Sequence, residues 1–589
     1  MSRRLVPFVA ACLALSCAET SQRPNVGPPS PLPDPPPSSI TLSIVGTNDL
    51  HGGILQRGDR GGLALLGGYI ANLRAARNRD GGAVLLLDAG DMFQGTLESN
   101  LNEGEAVIHA YNTLGYAAAA VGNHDFDFGP VGPPATPQAS SDDPRGALKA
   151  RAAQASFPFL AANLIDAATG RPVDWPNMRP STIVTAAGLR VGIIGVMTAR
   201  ALAGTIAANT GGLRVAPLVE TIAAEGKQLR ASGASIVVVV SHAGGRCTAF
   251  TLPTDLSSCD QTEEIMQVAR SLPAGLIDVI VAGHAHSGMA HVVGGILIIE
   301  AYMGGRAFGR VDLVIDQSTR RIIQRRLFAP LDLCARVDPG TVRCDPEGSS
   351  SGRVRAEYEG APVRPDPAVE RAIAPAIKAA AAQKQMRLGV TAATSIRRAG
   401  SGDSPLGNLF ADAYREGVPG ADVAINNTSG GLRADLPAGP LTFGAVFEVM
   451  PFDNRLVAFR LTGAELRRVL ATQVSRVPAL VGLSGVRARV TCQGGTVNVA
   501  MLRPNGAVVT DNERLLVATS DFLATGGDSI FTPVTPANGF ALEVDAGLVR
   551  DVVVDSLAKR GGTLREEQLV DAANPRWVLP GKAPVTCGT

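Results

Sequence analysis

At 589 residues the chain is too long for one ordinary core, so it should divide into at least two domains. Hydrophobic residues make up 45%, which suits a folded globular protein and excludes wholesale disorder. Lys and Arg total 54 against 53 Asp and Glu, so the bulk charge marks no binder of nucleic-acid polymers or anionic membranes.

The first residues read as an address. Arg3 and Arg4 give a basic start, Leu5 to Leu15 is a short apolar stretch, and Ser16-Cys17 follows. The stretch is shorter than the ~20 apolar residues that a spanning helix needs. Leu13-Ala14-Leu15-Ser16-Cys17 is similar to a bacterial lipobox, in which Cys17 would be lipidated after residues 1–17 act as the signal. Val9-Ala10-Ala11-Cys12 fits the letters better but leaves too short an apolar core before it, and plain signal cleavage is the alternative. Each reading predicts export, to the periplasm or the cell surface. Residues 18–39 are rich in Pro and Ser and read as an extended tether, so any contact with a membrane would run through the lipid anchor only.

From Ile40 short apolar runs alternate with helix-like stretches: 40–47, Ala83–Leu87, Ala117–Val121, Arg190–Val196, Ile236–Val240 and Ile277–Val281. Runs this short, separated by helical patterns, predict buried strands of an α/β domain over 40–335. Order weakens around 332–365, and the Ala-rich stretch 366–386 predicts a connecting helix kinked at Pro375, within a linking segment 336–387. A second α/β domain is expected over 388–575. Six cysteines lie beyond the signal, and the short separations favour Cys247 with Cys259 and Cys334 with Cys344. That would leave Cys492 with Cys587, but sequence alone leaves the pairing open. Their absence of CxxC spacing argues for disulfides in an oxidising compartment over a zinc knuckle.

Five polar motifs directly follow apolar runs. They are Thr47-Asn48-Asp49-Leu50-His51-Gly52, Asp88-Ala89-Gly90-Asp91, Gly122-Asn123-His124-Asp125, Ser241-His242-Ala243-Gly244 and Gly283-His284-Ala285-His286. In α/β sheets ligands bind beyond the carboxyl ends of strands, so the five should converge on one site. Five of the seven histidines lie in these motifs, and none lies beyond His291. Carboxylate and neutral imidazole suit divalent ions such as zinc or manganese, and one carboxylate can bridge two of them. A pair of ions ~3.5–4 Å apart can activate water and clamp both oxygens of a phosphoryl transfer.

The ordered set TNDLHG, GD, GNHDFD, SH and GHAH resembles the calcineurin-like metallophosphoesterases, and in particular the 5'-nucleotidase family. The resemblance implies a four-layer αββα N-terminal domain joined to a C-terminal nucleotide-binding domain. It implies two divalent ions, one on Asp49, His51, Asp91 and His286, the other on Asp91, Asn123, His242 and His284. It makes His124 the catalytic proton donor and Asp127 its partner, chemistry that suits a histidinium fixed by a carboxylate beside a phosphate. Asp125 reads as a turn residue supporting the site.

The C-terminal region resembles the same family. Gly430-Gly431-Leu432-Arg433, Met450-Pro451-Phe452 and Asp521-Phe522-Leu523-Ala524-Thr525-Gly526-Gly527-Asp528 are similar to its nucleotide-binding loops. By that pattern Arg433 meets the nucleotide, Phe452 and Phe522 sandwich its base, and Asp528 accepts from the ribose. Stacking needs only a π face and reads base identity poorly. Two positions depart from the pattern: Thr428 stands where Asn is common, with Asn427 one place earlier, and Gly402 stands where an Arg is usual. The expected activity is hydrolysis of nucleoside 5'-monophosphates, extending to nucleotide sugars or cyclic nucleotides, with no protein partner implied. The alternatives are a thiosulfohydrolase-like enzyme on the same metal core, or a lipoprotein that captures nucleotides without turnover.

Overall fold

The computed structural model describes residues 38–132, 135–137, 139–344, 352–398, 403–476, 480–537 and 539–587. The export signal with Cys12 and Cys17, nearly all of the tether, and Gly402 lie outside the described residues. Among the described residues no helix is long and apolar enough to cross a membrane.

The six apolar runs form the strands Ser39–Thr47, Ala83–Asp88, Ala118–Ala120, Leu189–Met197, Ile236–His242 and Val279–Ala282. They belong to a seven-stranded and a six-stranded sheet. In the first, Ser39–Thr47 pairs in parallel with Ala83–Asp88, which pairs in parallel with Ala118–Ala120. In the second, Ile236–His242 lies parallel between Leu189–Met197 and Val279–Ala282. Leu42, Ile44, Leu85 and Leu87 share one core with Ile193, Val238, Val240, Val281 and Ile299, so the sheets stack face to face. Gly46 allows their close approach, because a Cβ there would strike Val281. The helices Leu63–Arg79 and Glu105–Leu114 cover the outer face of the first sheet, and Leu218–Ala231 and Glu264–Ser271 that of the second. The architecture is therefore α/β in four layers, αββα. Burial on both faces explains why these strands read as unbroken apolar runs. Each fully buried Val, Leu or Ile side chain contributes about 1.5–3 kcal/mol.

Beyond the connecting helix a second unit is built on a five-stranded sheet in which Val423–Asn426, Arg514–Ser520 and Arg455–Thr462 are neighbours. Their residues alternate between two clusters. Ala424, Leu456, Ala458 and Ala518 pack with the helices Pro405–Gly417 and Val549–Arg560. Val423, Ile425, Val457 and Phe459 pack with the helix Gly463–Arg476. This packing continues past residue 575, to Trp577 and Val585. The cysteines pair as Cys247–Cys259, Cys334–Cys344 and Cys492–Cys587, the last closing a loop of 95 residues.

The described parts of the segment that reads as weakly ordered, 332–344 and 352–365, are packed onto the first unit. Cys334, Val337, Ala356 and Val363 join its core, Asp366 N donates to Ala64 O at 2.7 Å, and Asn72 Nδ2 donates to Ala361 O at 2.9 Å. Gly68 admits the close contact, since a Cβ there would strike the Arg364 carbonyl. The connecting helix runs Pro367–Lys384, capped by Asp366, whose side chain accepts from Ala368 N. Pro375 sits inside it, and the helix continues as one element through that position. Its Val369, Ile373 and Ala376 belong to the first core and Ala380 to the second, so one helix is anchored in both.

Candidate metal centre and substrate site

All five motifs lie at carboxyl ends of parallel strands. Asp49, His51, Asp91, His284 and His286 each adopt a positive φ, between 48° and 76°, which non-glycine residues rarely do. Neighbouring carbonyls and one carboxylate lock these turns. Asp49 N donates to Gly90 O at 2.9 Å, His51 N to Asp91 O at 3.0 Å, and His284 N to Asp49 Oδ2 at 2.9 Å.

Two groups of ligand atoms result, Asp49, His51, Asp91 and His286 in one, Asp91, His242 and His284 in the other, with Asp91 common to both. His51 Nε2 lies 3.1 Å from His286 Nε2, and His242 Nε2 lies 3.2 Å from His284 Nδ1 and 3.2 Å from Asp91 Oδ2. Asn123 Oδ1 stands 3.0 Å from His242 Nε2, while its Nδ2 is taken by Gly204 O. Tautomers are fixed from behind: His51 Nδ1 faces Gln94 O and His242 Nδ1 faces Ala89 O, each at 2.9 Å. The inner Nε2 lone pairs therefore converge on one another, an arrangement that suits a cation between them. Burial pushes His51 down to about 3 and His284 down to about 4, leaving neutral imidazoles of the kind metals bind. Burial opposes charge on His242 too, yet the adjacent Asp91 carboxylate outweighs it and raises that pKa to about 10. A divalent ion would take the place of that proton. The donor set thus fits two divalent ions sharing Asp91.

His124 stands at the edge of this cluster. Its N donates to Asp91 Oδ1 at 2.8 Å, and its Nδ1 lies 2.7 Å from Asp127 Oδ2. Thr205 Oγ1 holds the other Asp127 oxygen at 2.9 Å. Burial disfavours the imidazolium, but the Asp127 and Asp91 charges prevail and hold the His124 pKa above its ordinary value. With Nδ1 tied to Asp127, Nε2 is the nitrogen left to carry a mobile proton.

The second unit reaches into the same place. The Phe452 ring lies 5.9 Å from the His124 ring, and the Arg433 guanidinium lies over Phe452 at 5.0 Å. Burial lowers the Arg433 pKa, while the charges of Asp91, Asp127 and Asp528 oppose that shift. Asp528, itself at φ 50°, accepts from Asn427 Nδ2 at 2.5 Å. Gly527 leaves space for the Phe522 ring, which a Cβ there would strike. Thr428 turns away, donating to Leu480 O at 2.6 Å, so Asn427 is the residue that meets Asp528. Arg398 Nη1 donates to the carbonyls of Leu432 and Arg433 at 3.2 and 3.0 Å and so braces the Gly-Gly-Leu-Arg loop, whereas Arg397 is paired with Glu566.

Supporting residues surround the site, among them Asp125, which the sequence already marks, and Glu300, which it does not. Asp125 accepts from Gly122 N, Asp91 N and Met92 N at 2.8, 3.2 and 2.9 Å, tying two ligand loops together. Burial and the charge of Asp91 push its carboxyl up to about 8. Glu300, buried at the end of the strand Ile296–Ala301, accepts from Gly245 N at 2.9 Å and Ser287 N at 3.5 Å. It thereby links the loops after His242 and His286. The only hint in sequence is a carboxylate closing the apolar run Ile296-Leu297-Ile298-Ile299.

Comparison with known proteins agrees with this geometry. Residues 42–288 match the calcineurin-like phosphoesterase family, and residues 379–535 match the 5'-nucleotidase C-terminal domain. Protein UshA of Yersinia enterocolitica is 26% identical over 523 residues, covering 83% of this chain and 86% of the relative. A 5'-nucleotidase of Vibrio cholerae is 26% identical over 548 residues, covering 87% of this chain and 89% of the relative. The crystal structure of a 5'-nucleotidase precursor from Thermus thermophilus superposes with a TM-score of 0.65 at 25% identity, covering 92% and 99% of the two chains. The chain belongs to the 5'-nucleotidase family of calcineurin-like phosphoesterases, the metal-dependent hydrolases of phosphoric esters.

Proposed function

We propose that this enzyme hydrolyses nucleoside 5'-monophosphates to nucleoside and phosphate, with nucleotide sugars and cyclic nucleotides as further substrates. The observation that carries the reading is the meeting of two units at one point: Phe452 and Arg433 of the second stand against His124 of the first. In this reading the first domain spans 40–335, the linking segment 336–387, and the substrate domain 388–575 together with the following residues that pack on it up to Val585. Asp49, His51, Asp91 and His286 hold one ion, and Asp91, Asn123, His242 and His284 the other, with zinc and manganese the ions that suit the donors. Bound there, the pair supplies the charge that activates water and stabilises the transferring phosphoryl group. His124 donates its Nε2 proton to the leaving ribose oxygen, and Asp127 keeps the imidazole oriented and protonated. Phe452 and Phe522 stack on the base, Arg433 offers its guanidinium to the phosphate, and Asp528, oriented by Asn427, accepts from the ribose hydroxyls. A protein that only captured nucleotides would have no use for the His124–Asp127 pair.

The double substitution Phe452→Ala/Phe522→Ala tests the substrate. Loss of two stacking contacts at ~1–3 kcal/mol each should lower kcat/KM on AMP far more than on p-nitrophenyl phosphate. Equal losses on both would make the phenylalanines structural and remove the main support for a nucleotide.

The basic-apolar start, the tether and three disulfides support export, with Cys17 as the site of a lipid anchor.

A further inference from the structure

The loop between Asp91 and the helix Glu105–Leu114 touches both halves of the site. Toward the first domain, the Gln94 carbonyl faces His51 Nδ1 at 2.9 Å, and Thr96 Oγ1 donates to Gly52 O at 2.5 Å. Gly95, between them, lies so close that a Cβ would strike the His51 backbone. Toward the second domain, Gln94 Nε2 and Asn100 Nδ2 both donate to a single acceptor, the Pro451 carbonyl, at 2.8 and 3.0 Å. Asn100 is aimed by Gly95 N, which donates to its Oδ1 at 3.0 Å. Leu97 packs in the core of the second unit, and Glu98 pairs with Lys384 at 2.8 Å.

Pro451 has no N–H, so its carbonyl is the one backbone hydrogen-bonding group the residue offers, and two side-chain amides donate to it. The next residue is Phe452, 5.9 Å from His124 and beneath Arg433. Gln94 is thus bonded through its backbone to a ring of the metal site and through its side chain to the loop carrying the stacking ring.

We propose that Gln94 and Asn100 are positioning residues that clasp the Pro451 carbonyl and so set Phe452 and Arg433 over the metal centre. The substrate effect rests on the nucleotide reading above, and the clasp itself rests on the hydrogen bonds. Misplacing a reacting group by about 1 Å costs on the order of 10²-fold in rate, which sets the scale of the expected loss.

The test uses the full metal-loaded chain and the variant Gln94→Met/Asn100→Leu, which keeps volume and removes both donors. Nitroxide labels at the exposed positions Lys227 and Lys559 report the distance between the domains. The clasp predicts a broadened distance distribution with a population away from the wild-type value. It also predicts a fall of about 10²-fold in kcat/KM on AMP, mostly in KM and about tenfold or more beyond the fall on p-nitrophenyl phosphate. Should the double variant fail to fold, Asn100→Leu alone, at a half-buried side chain, must show the same pattern to a smaller degree. An unchanged distance distribution, or equal losses on the two substrates, would overturn the proposal. If the wild type turns over no nucleotide, the substrate reading fails, and the distance measurement alone still decides the clasp.

Discussion

Five of the seven candidate ligands sit in left-handed backbone, a conformation that costs roughly 1–3 kcal/mol per residue unless the surroundings impose it. Here Gly90 O, Asp91 O and the Asp49 carboxylate supply the locking bonds. Such residues are legible in sequence because their types are rare and they follow apolar runs directly. Gln94 and Glu300 were not legible, because an amide or carboxylate that bonds to a neighbouring loop looks like any other polar residue until the fold brings that loop close. The same scale sets three predictions. His124→Ala should retain both ions and lose ~10²–10⁴ in turnover, the range for a general acid, and wild-type rates on a poor leaving group would refute the role. Asp127→Asn should move the alkaline limb of the kcat profile to lower pH, since the imidazolium loses the carboxylate that stabilises it. Asp91→Ala should lose metal as well as activity, measured by elemental analysis of the purified protein, because both groups share that carboxylate. Full metal content in that variant would contradict the sharing.

Elements were legible where burial is two-sided. The strand Ile236–His242 reads as an apolar run because each of its residues is buried, and the run ends where His242 turns to the site. By contrast the segment 332–365 reads as weakly ordered, since its described parts are held by Asn72 and Gly68 of the distant helix Leu63–Arg79. Local sequence carries no trace of such contacts. Pro375 lies inside its helix, which continues as one element on both sides of it, held to two cores by Val369, Ile373, Ala376 and Ala380. The N-terminal element has its own consequence. Cys17→Ser should move the protein from the membrane fraction to a soluble exported one, read by fractionation with mass spectrometry of the mature N-terminus. An unlipidated terminus at any other residue in the wild type would discard the anchor and keep export.

At the level of the whole molecule, loops from two stacked sheets gather the candidate metal ligands, and a second unit brings an aromatic ring and a guanidinium beside them. Sequence motifs gave each half separately. Their meeting depends on contacts across the interface, such as Gln94 and Asn100 with Pro451 and Glu98 with Lys384, which no local pattern encodes. Metals and nucleotide should therefore act at one place. Phosphate release from AMP by chelator-stripped enzyme, followed during titration with manganese or zinc, measures this directly. Activity should be absent without metal and return only as the second equivalent binds, because both groups of ligands share Asp91. Full activity in the stripped enzyme, or no release from any nucleoside monophosphate at two bound equivalents, would contradict it.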